Sequence, residues 1–253
     1  MFAFPTFAKS VHIRLLSSCT SKKIVESTNA LTLEDSREGA EHLRQRKADL
    51  KSVQRPAAEM YAGRQHQHMM RGIHQARQAP DAVSIELHIM SAFYGLLEEE
   101  TPIVPYECTF SNMPKGQIRT WADELNIPDE TRTVLAAPSD LILILLGKSY
   151  VEAVQFDAEM EFGGPTLFFC AQSVADNLPD WPGVKKVALS LTEAKRFSQG
   201  LVWIKGWMAE QILLRVARNP AIINRFIDPT IDICDVIDRN TQQLNLYDAG
   251  MGS

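Results

Sequence analysis

The stretch 140-DLILILLGKSY-150 decides the fold class. Residues 141–146 are an unbroken apolar run. A strand wetted on one face alternates apolar and polar residues, whereas a continuous run suits a parallel sheet covered on both faces. Segments of similar character recur on either side, and residues 11–17, 84–90, 167–170 and 186–190 also read as strands. Helix-favouring segments lie between them: 34–55, a Pro56-led helix to Arg77 stopped by Pro80-Asp81, 117–125 and 129–136. Residues 192–218 read as one long amphipathic helix carrying Trp203 and Trp207, and Phe197, Trp203 and Trp207 are assigned to the core rather than to a base wedge. Strand and helix alternate, so the expected fold is α/β, a mostly parallel doubly wound sheet flanked by helices. Residues 1–218 are read as one domain with a basic helical insert at 34–78, followed by an acidic helix and tail at 219–253.

The Gly-Lys-Ser after the apolar run invites a phosphate-binding loop. That motif needs a glycine five residues before the Gly-Lys pair, and Ile142 stands there, inside the strand. Lys148 is left either as a point charge for phosphate or as a surface lysine.

The chain has 253 residues with 45% hydrophobic and 23% charged residues, within the globular range. No apolar run approaches the ~20 residues that cross a bilayer. The N-terminal "MFAFPTFAK" has apolar and basic residues but no continuous hydrophobic segment or small-residue cleavage site, so a cytoplasmic protein is expected. Cys19, Cys108, Cys170 and Cys234 show no paired spacing, which argues against a zinc site and a disulfide scaffold. The histidines lack ligand spacing: His66 and His68 would point to different faces of a helix. Neither a metal nor a cofactor is expected. The net charge is −5, yet residues 37–77 hold nine Lys or Arg against four acids, a segment that reads either as a phosphate-tracking arm or as a solvated helix face.

In open parallel sheets ligands bind beyond the carboxyl ends of the strands. The residues that follow the strands form a consistent set: "SSCTSKK" from Ser17, "SAFYG" from Ser91, "GKSY" from Gly147 and "AQS" from Ala171. All are rich in hydroxyl, amide, lysine or glycine. Glu98, Glu99 and Glu100 read as a solvated charge run. Glu107, between Pro105-Tyr106 and Cys108-Thr109-Phe110, reads as half-buried, either an acid of raised pKa or a brace for its loop.

Taken together, "SSCTSKK", "RPAAEMYAG", "SAFYGLL", "VPYECTF" and "LLGKSY" resemble the motif set of a bacterial and phage family distantly similar to the YaaA peroxide-stress proteins. The similarity runs from about residue 11 to 155 and weakens to about 215. Phe93 departs from the family's basic residue, and Glu107 from its commoner aspartate. The resemblance implies a fold reminiscent of uracil-DNA glycosylases. It also implies an activity like that of anti-phage DNA glycosylases that excise glucosylated hydroxymethylcytosine.

On that reading Glu107 supports an oxocarbenium-like sugar or activates water, and Asn112 positions the water. Tyr94 and Tyr106 wall a flipped base. Ser18, Cys19, Ser91 and Gln172 contact the base or its sugar. Lys22, Arg64, Arg71 and Lys148 hold flanking phosphates. The partner is DNA carrying modified bases, and the expected chemistry is monofunctional. Attack by Lys22 or Lys148 on the sugar is the alternative. A DNA-binding stress protein without chemistry and a base-exchange or nucleoside-processing enzyme stand as alternative functions.

Overall fold

The computed structural model describes residues 10–25, 29–79 and 83–238. The targeting-like stretch 1–9, the Pro80-Asp81 stop and the tail beyond 238 lie outside the described residues.

Six strands make the main sheet: β1 (Val11–Ser18), β2 (Val83–Ser91), β3 (Gly95–Glu98), β4 (Leu141–Leu145), β5 (Thr166–Cys170) and β6 (Val184–Ala188). Their order is β6-β5-β4-β1-β2-β3. Every neighbouring pair is parallel except β2 with β3. Every residue of β4 and β5 is buried, as the unbroken apolar run requires.

The chain winds outward from β1 to β2, then crosses back and continues from β4 to β6. The direction of winding therefore reverses between β1 and β4, which for parallel crossovers of the usual hand calls for helices on both faces. On one face α2 (Arg64–Arg77) packs against α6 (Ile204–Arg218). Two glycines permit this close crossing: a Cβ on Gly206 would lie 2.0 Å from the Gln65 carbonyl oxygen, and one on Gly72 2.7 Å from Glu210 Cα. On the other face α3 (Lys115–Glu124), α4 (Ile127–Ala136) and α5 (Lys148–Val154) pack together.

Several elements differ from the sequence reading. The helix expected from Pro56 to Arg77 is broken, because Tyr61 is extended and bridges Lys23 in an antiparallel contact. The segment 192–218 is likewise two helices. Ser198 takes φ +53° and a turn at 201–203 precedes α6. Gly95–Glu98, read as loop, is an antiparallel edge strand entered through Gly95 at φ +78°. The last strand lies at 184–188 rather than 186–190, because Ser190 caps the next helix through its capping box with Glu193.

The insert forms α1 (Ala40–Asp49), a surface helix that buries none of its residues. Arg46 and His42 tether it to the buried Asp35. The described C-terminal segment joins the same core through Ile222, Phe226, Val236 and Ile237, while Asp232, Asp235 and Asp238 pair with Arg196. No helix among the described residues is long and apolar enough to cross a membrane.

Candidate functional site

The loop leaving β1 lies at the point where the winding reverses. It runs beside residues 60–63: Ile24 N–H donates to the Met60 carbonyl, Ala62 N–H to Lys22, and Gly63 N–H to Thr20 Oγ1. Cys19 is buried with Sγ 3.0 Å from the Tyr150 hydroxyl, which links the end of β1 to the helix that follows β4. Lys22 points out to solvent, whereas Lys23 turns inward and is only 7% exposed. Its Nζ lies 4.2 Å from the centroid of the Tyr106 ring.

Beneath Lys23 is a closed polar network. The Tyr106 hydroxyl is 2.9 Å from that of Tyr61 and accepts from Ser91 Oγ at 2.9 Å. Ser91 Oγ in turn accepts the N–H groups of Phe93 and Tyr94, which fixes the turn into β3. Burial pushes the phenols of Tyr61, Tyr106 and Tyr150 well up, so they stay protonated donors.

Two expectations are corrected here. Tyr106 is fully buried and stacks on Phe93 at 5.4 Å, so it does not form a pocket wall. Ser91 is also fully buried and serves the turn and the Tyr106 hydroxyl rather than a base edge. Tyr94 is held as well: its hydroxyl donates to the Val104 carbonyl and accepts from Val104 N–H, and Lys47 lies over its ring at 4.9 Å. Ser18 is buried at the end of β1.

Glu107 overturns a third expectation, being exposed rather than half-buried. The cause is strand alternation. Tyr106–Glu107 pairs with Leu31–Thr32, successive side chains take opposite faces, and Tyr106 takes the inner one. Glu107 thus opens into a cleft of about 380 Å³ shared with Lys23, Cys108, Asn112, Ser21 and Gln117. Burial lowers the Lys23 amine below its ordinary value, with the Glu107 carboxylate acting the other way. Burial, with a smaller contribution from Cys19, pushes the Cys108 thiol up to about 11. Cys108 is therefore a neutral thiol at neutral pH, and its Sγ donates to the Ala92 carbonyl at 3.2 Å.

Of the expected phosphate contacts, Lys22 and Lys148 are exposed near the ends of β1 and β4. Arg64 is exposed at the start of α2 and lies over the Trp203 ring at 4.5 Å. Arg71 is already paired: its half-exposed guanidinium bonds both carboxylate oxygens of Glu210, at 2.6 and 3.2 Å. Gln172 is exposed after β5, with β4 between its strand and β1, and its amide donates to Asp176. A second inward lysine, Lys205, donates to the Leu146 carbonyl at 2.6 Å, and burial lowers it to about 8.

The structure therefore brings Glu107 and Asn112 together, adds Lys23, and places Tyr106 and Ser91 behind them as support. Sequence reasoning missed Lys23. The signal available was its place at the last position of S-C-T-x-x-K, since Lys22 falls one residue short. Among the described residues no group of three or more His, Cys, Asp or Glu side chains could hold a metal ion.

Residues 45–163 match a family of unknown function, DUF6884. That span contains Glu107, Asn112, Tyr61, Tyr106 and Tyr150 but not β1 or Lys23. No curated protein matches the chain.

Proposed function

We propose that the protein is a DNA glycosylase that removes a modified base, with glucosylated hydroxymethylcytosine of phage DNA as the candidate target, in a cytoplasmic defence role. The observation that supports this reading is the Glu107 carboxylate, open to solvent in a cleft it shares with Asn112 and the inward Lys23. The motif resemblance supplies the substrate class.

N-glycosidic cleavage builds positive charge on the sugar. An anionic carboxylate at the reacting face lowers that barrier or takes the proton of an attacking water. Glu107 fills this role, and the Asn112 amide orients the water. Lys22, Arg64 and Lys148 hold phosphates around the crevice as exposed cations, so affinity falls steeply with salt. The target base must leave the stack to reach the cleft.

Incubation with genomic DNAs of different modification, followed by mass spectrometry of released bases, tests the assignment. Release by the wild type and its loss in Glu107→Gln is the expected result. Release undiminished in Glu107→Gln removes Glu107 from the chemistry. The burial of Ser91 and Tyr106 favours a second reading, a DNA-binding stress protein whose motif residues serve the fold. DNA binding without release from any modified substrate selects it.

A further inference from the structure

Among the described residues, Lys23 is the one lysine that lines the cleft with Glu107, and it sits in an environment unlike that of a solvated phosphate-binding cation. Its side chain lies against an aromatic ring rather than in solvent, and the loop bonds from Ile24 to Met60 and from Ala62 to Lys22 fix the backbone on both sides of it. The Lys23–Tyr61 bridge holds it in place. Burial lowers the amine below its ordinary value, so more of it is neutral than for a solvated lysine, and a neutral amine is a nucleophile toward aldehydes.

We propose that Lys23 forms an imine with the aldehyde of an abasic deoxyribose, which gives the protein a strand-cleaving lyase activity at the same cleft. This inference rests on the glycosylase reading for its substrate, since base removal creates that aldehyde. The Lys23 nitrogen lone pair adds to C1′ of the ring-opened sugar, and proton transfer gives a carbinolamine. Protonation of its hydroxyl and departure of one water leave the iminium. The Glu107 carboxylate then takes a C2′ proton. The electron pair of that C–H bond forms the enamine, which expels the 3′ phosphate with the C3′–O bonding pair. One water hydrolyses the resulting unsaturated iminium and frees Lys23. No oxidant, reductant or further reactant is needed.

The probe is a duplex oligonucleotide carrying an abasic site prepared beforehand, so that trapping does not depend on base excision by this protein. Wild-type protein is mixed with it in the presence of borohydride, which reduces an imine to a stable amine, and the adduct is mapped by peptide mass spectrometry. The expected result is an adduct on Lys23, lost in Lys23→Arg, which retains a cation at the Tyr106 ring; thermal unfolding verifies that this variant is folded. Mapping of the wild-type adduct decides the matter even if the variant fails to fold. Absence of adduct, or an adduct on Lys22, Lys148 or Lys205 instead, overturns the proposal. Base release without an adduct removes the lyase step and leaves the glycosylase reading standing. An adduct on Lys23 with no base release from any modified DNA does the reverse.

Discussion

Replacing Tyr106 with Phe separates a supporting role from a chemical one. The substitution deletes one oxygen and keeps the ring, so the stack on Phe93 and the Lys23 contact survive. The lost hydroxyl makes two buried hydrogen bonds, to Tyr61 and from Ser91, both at 2.9 Å. At about 1 kcal/mol net for each bond, the loss is about 2 kcal/mol. That is a sizeable share of the ~5–15 kcal/mol that holds a folded domain together. For a chain of this size each kcal/mol moves the melting temperature by about 2–4 °C, so a fall of about 4–8 °C is expected. Urea unfolding should show a lower midpoint at unchanged slope. Ser91→Ala costs more, because it also strips the acceptor from the Phe93 and Tyr94 N–H groups. The double variant should fall short of the summed effects by ~0.5–1.5 kcal/mol, since one bond is shared. A melting temperature within 1 °C of wild type, together with loss of base release, would refute the reasoning and return the Tyr106 hydroxyl to the chemistry.

Other outcomes follow from the same geometry. Glu107→Gln should abolish base release while DNA affinity, measured by fluorescence anisotropy, stays within a few fold. Arg64→Ala should reduce the slope of log affinity against log salt by about 1, whereas Arg71→Ala should leave that slope unchanged. Arg71→Ala should instead lower stability by about 1–2 kcal/mol, a figure discounted for its half-exposed guanidinium, because the buried Glu210 loses its bidentate partner. Burial opposes ionisation of Asp35, but the Thr32 N–H, Arg46, His42 and the Thr32 hydroxyl outweigh it and depress its pKa. Its stabilising effect is therefore complete above the unfolded carboxylate value of about 3.9 and is lost as pH falls below that. Amide protection factors across residues 31–49, which are taken relative to the intrinsic exchange rate at each pH, should fall on acidification through that range, and equal protection at pH 3 and pH 6 would refute it.

The central strand was legible because its apolar run is long. Residues 141–146 have no reading but a buried strand in an α/β chain, and the four other parallel strands share enough of that character to be found. The edge strand was not legible: four residues, Gly-Leu-Leu-Glu, show no full alternation and take their conformation from pairing with β2. The break at Tyr61 escaped for a related reason. Locally the sequence favours helix, and it is the bridge to Lys23, from a segment some 40 residues away, that holds Tyr61 extended. The site was half legible. The strand-end loops pointed to the sheet edge and the flanking residues to Glu107, both of which line the cleft at the end of β1, but which of two adjacent lysines turns inward depends on that same bridge. The exposure of Glu107 could have been inferred from alternation with Tyr106 had the short Tyr106–Glu107 strand been recognised.

The outer strand β6 carries two adjacent lysines, and each holds a different piece of chain. Lys185 Nζ collects the carbonyl oxygens of Phe226, Asp228 and Ile231, at 2.6–3.1 Å, and Lys186 pairs with Asp180 and the Leu178 carbonyl. Unpaired strand edges invite pairing with other molecules, and charge on the edge is a common deterrent. Shortening the protein at residue 218 would strip Lys185 of all three acceptors and uncover the apolar residues that Phe226 and Ile237 now shield. A shortened protein would therefore fail first by self-association along β6 rather than by loss of the Glu107 cleft, which lies on the far side of β4 and β5.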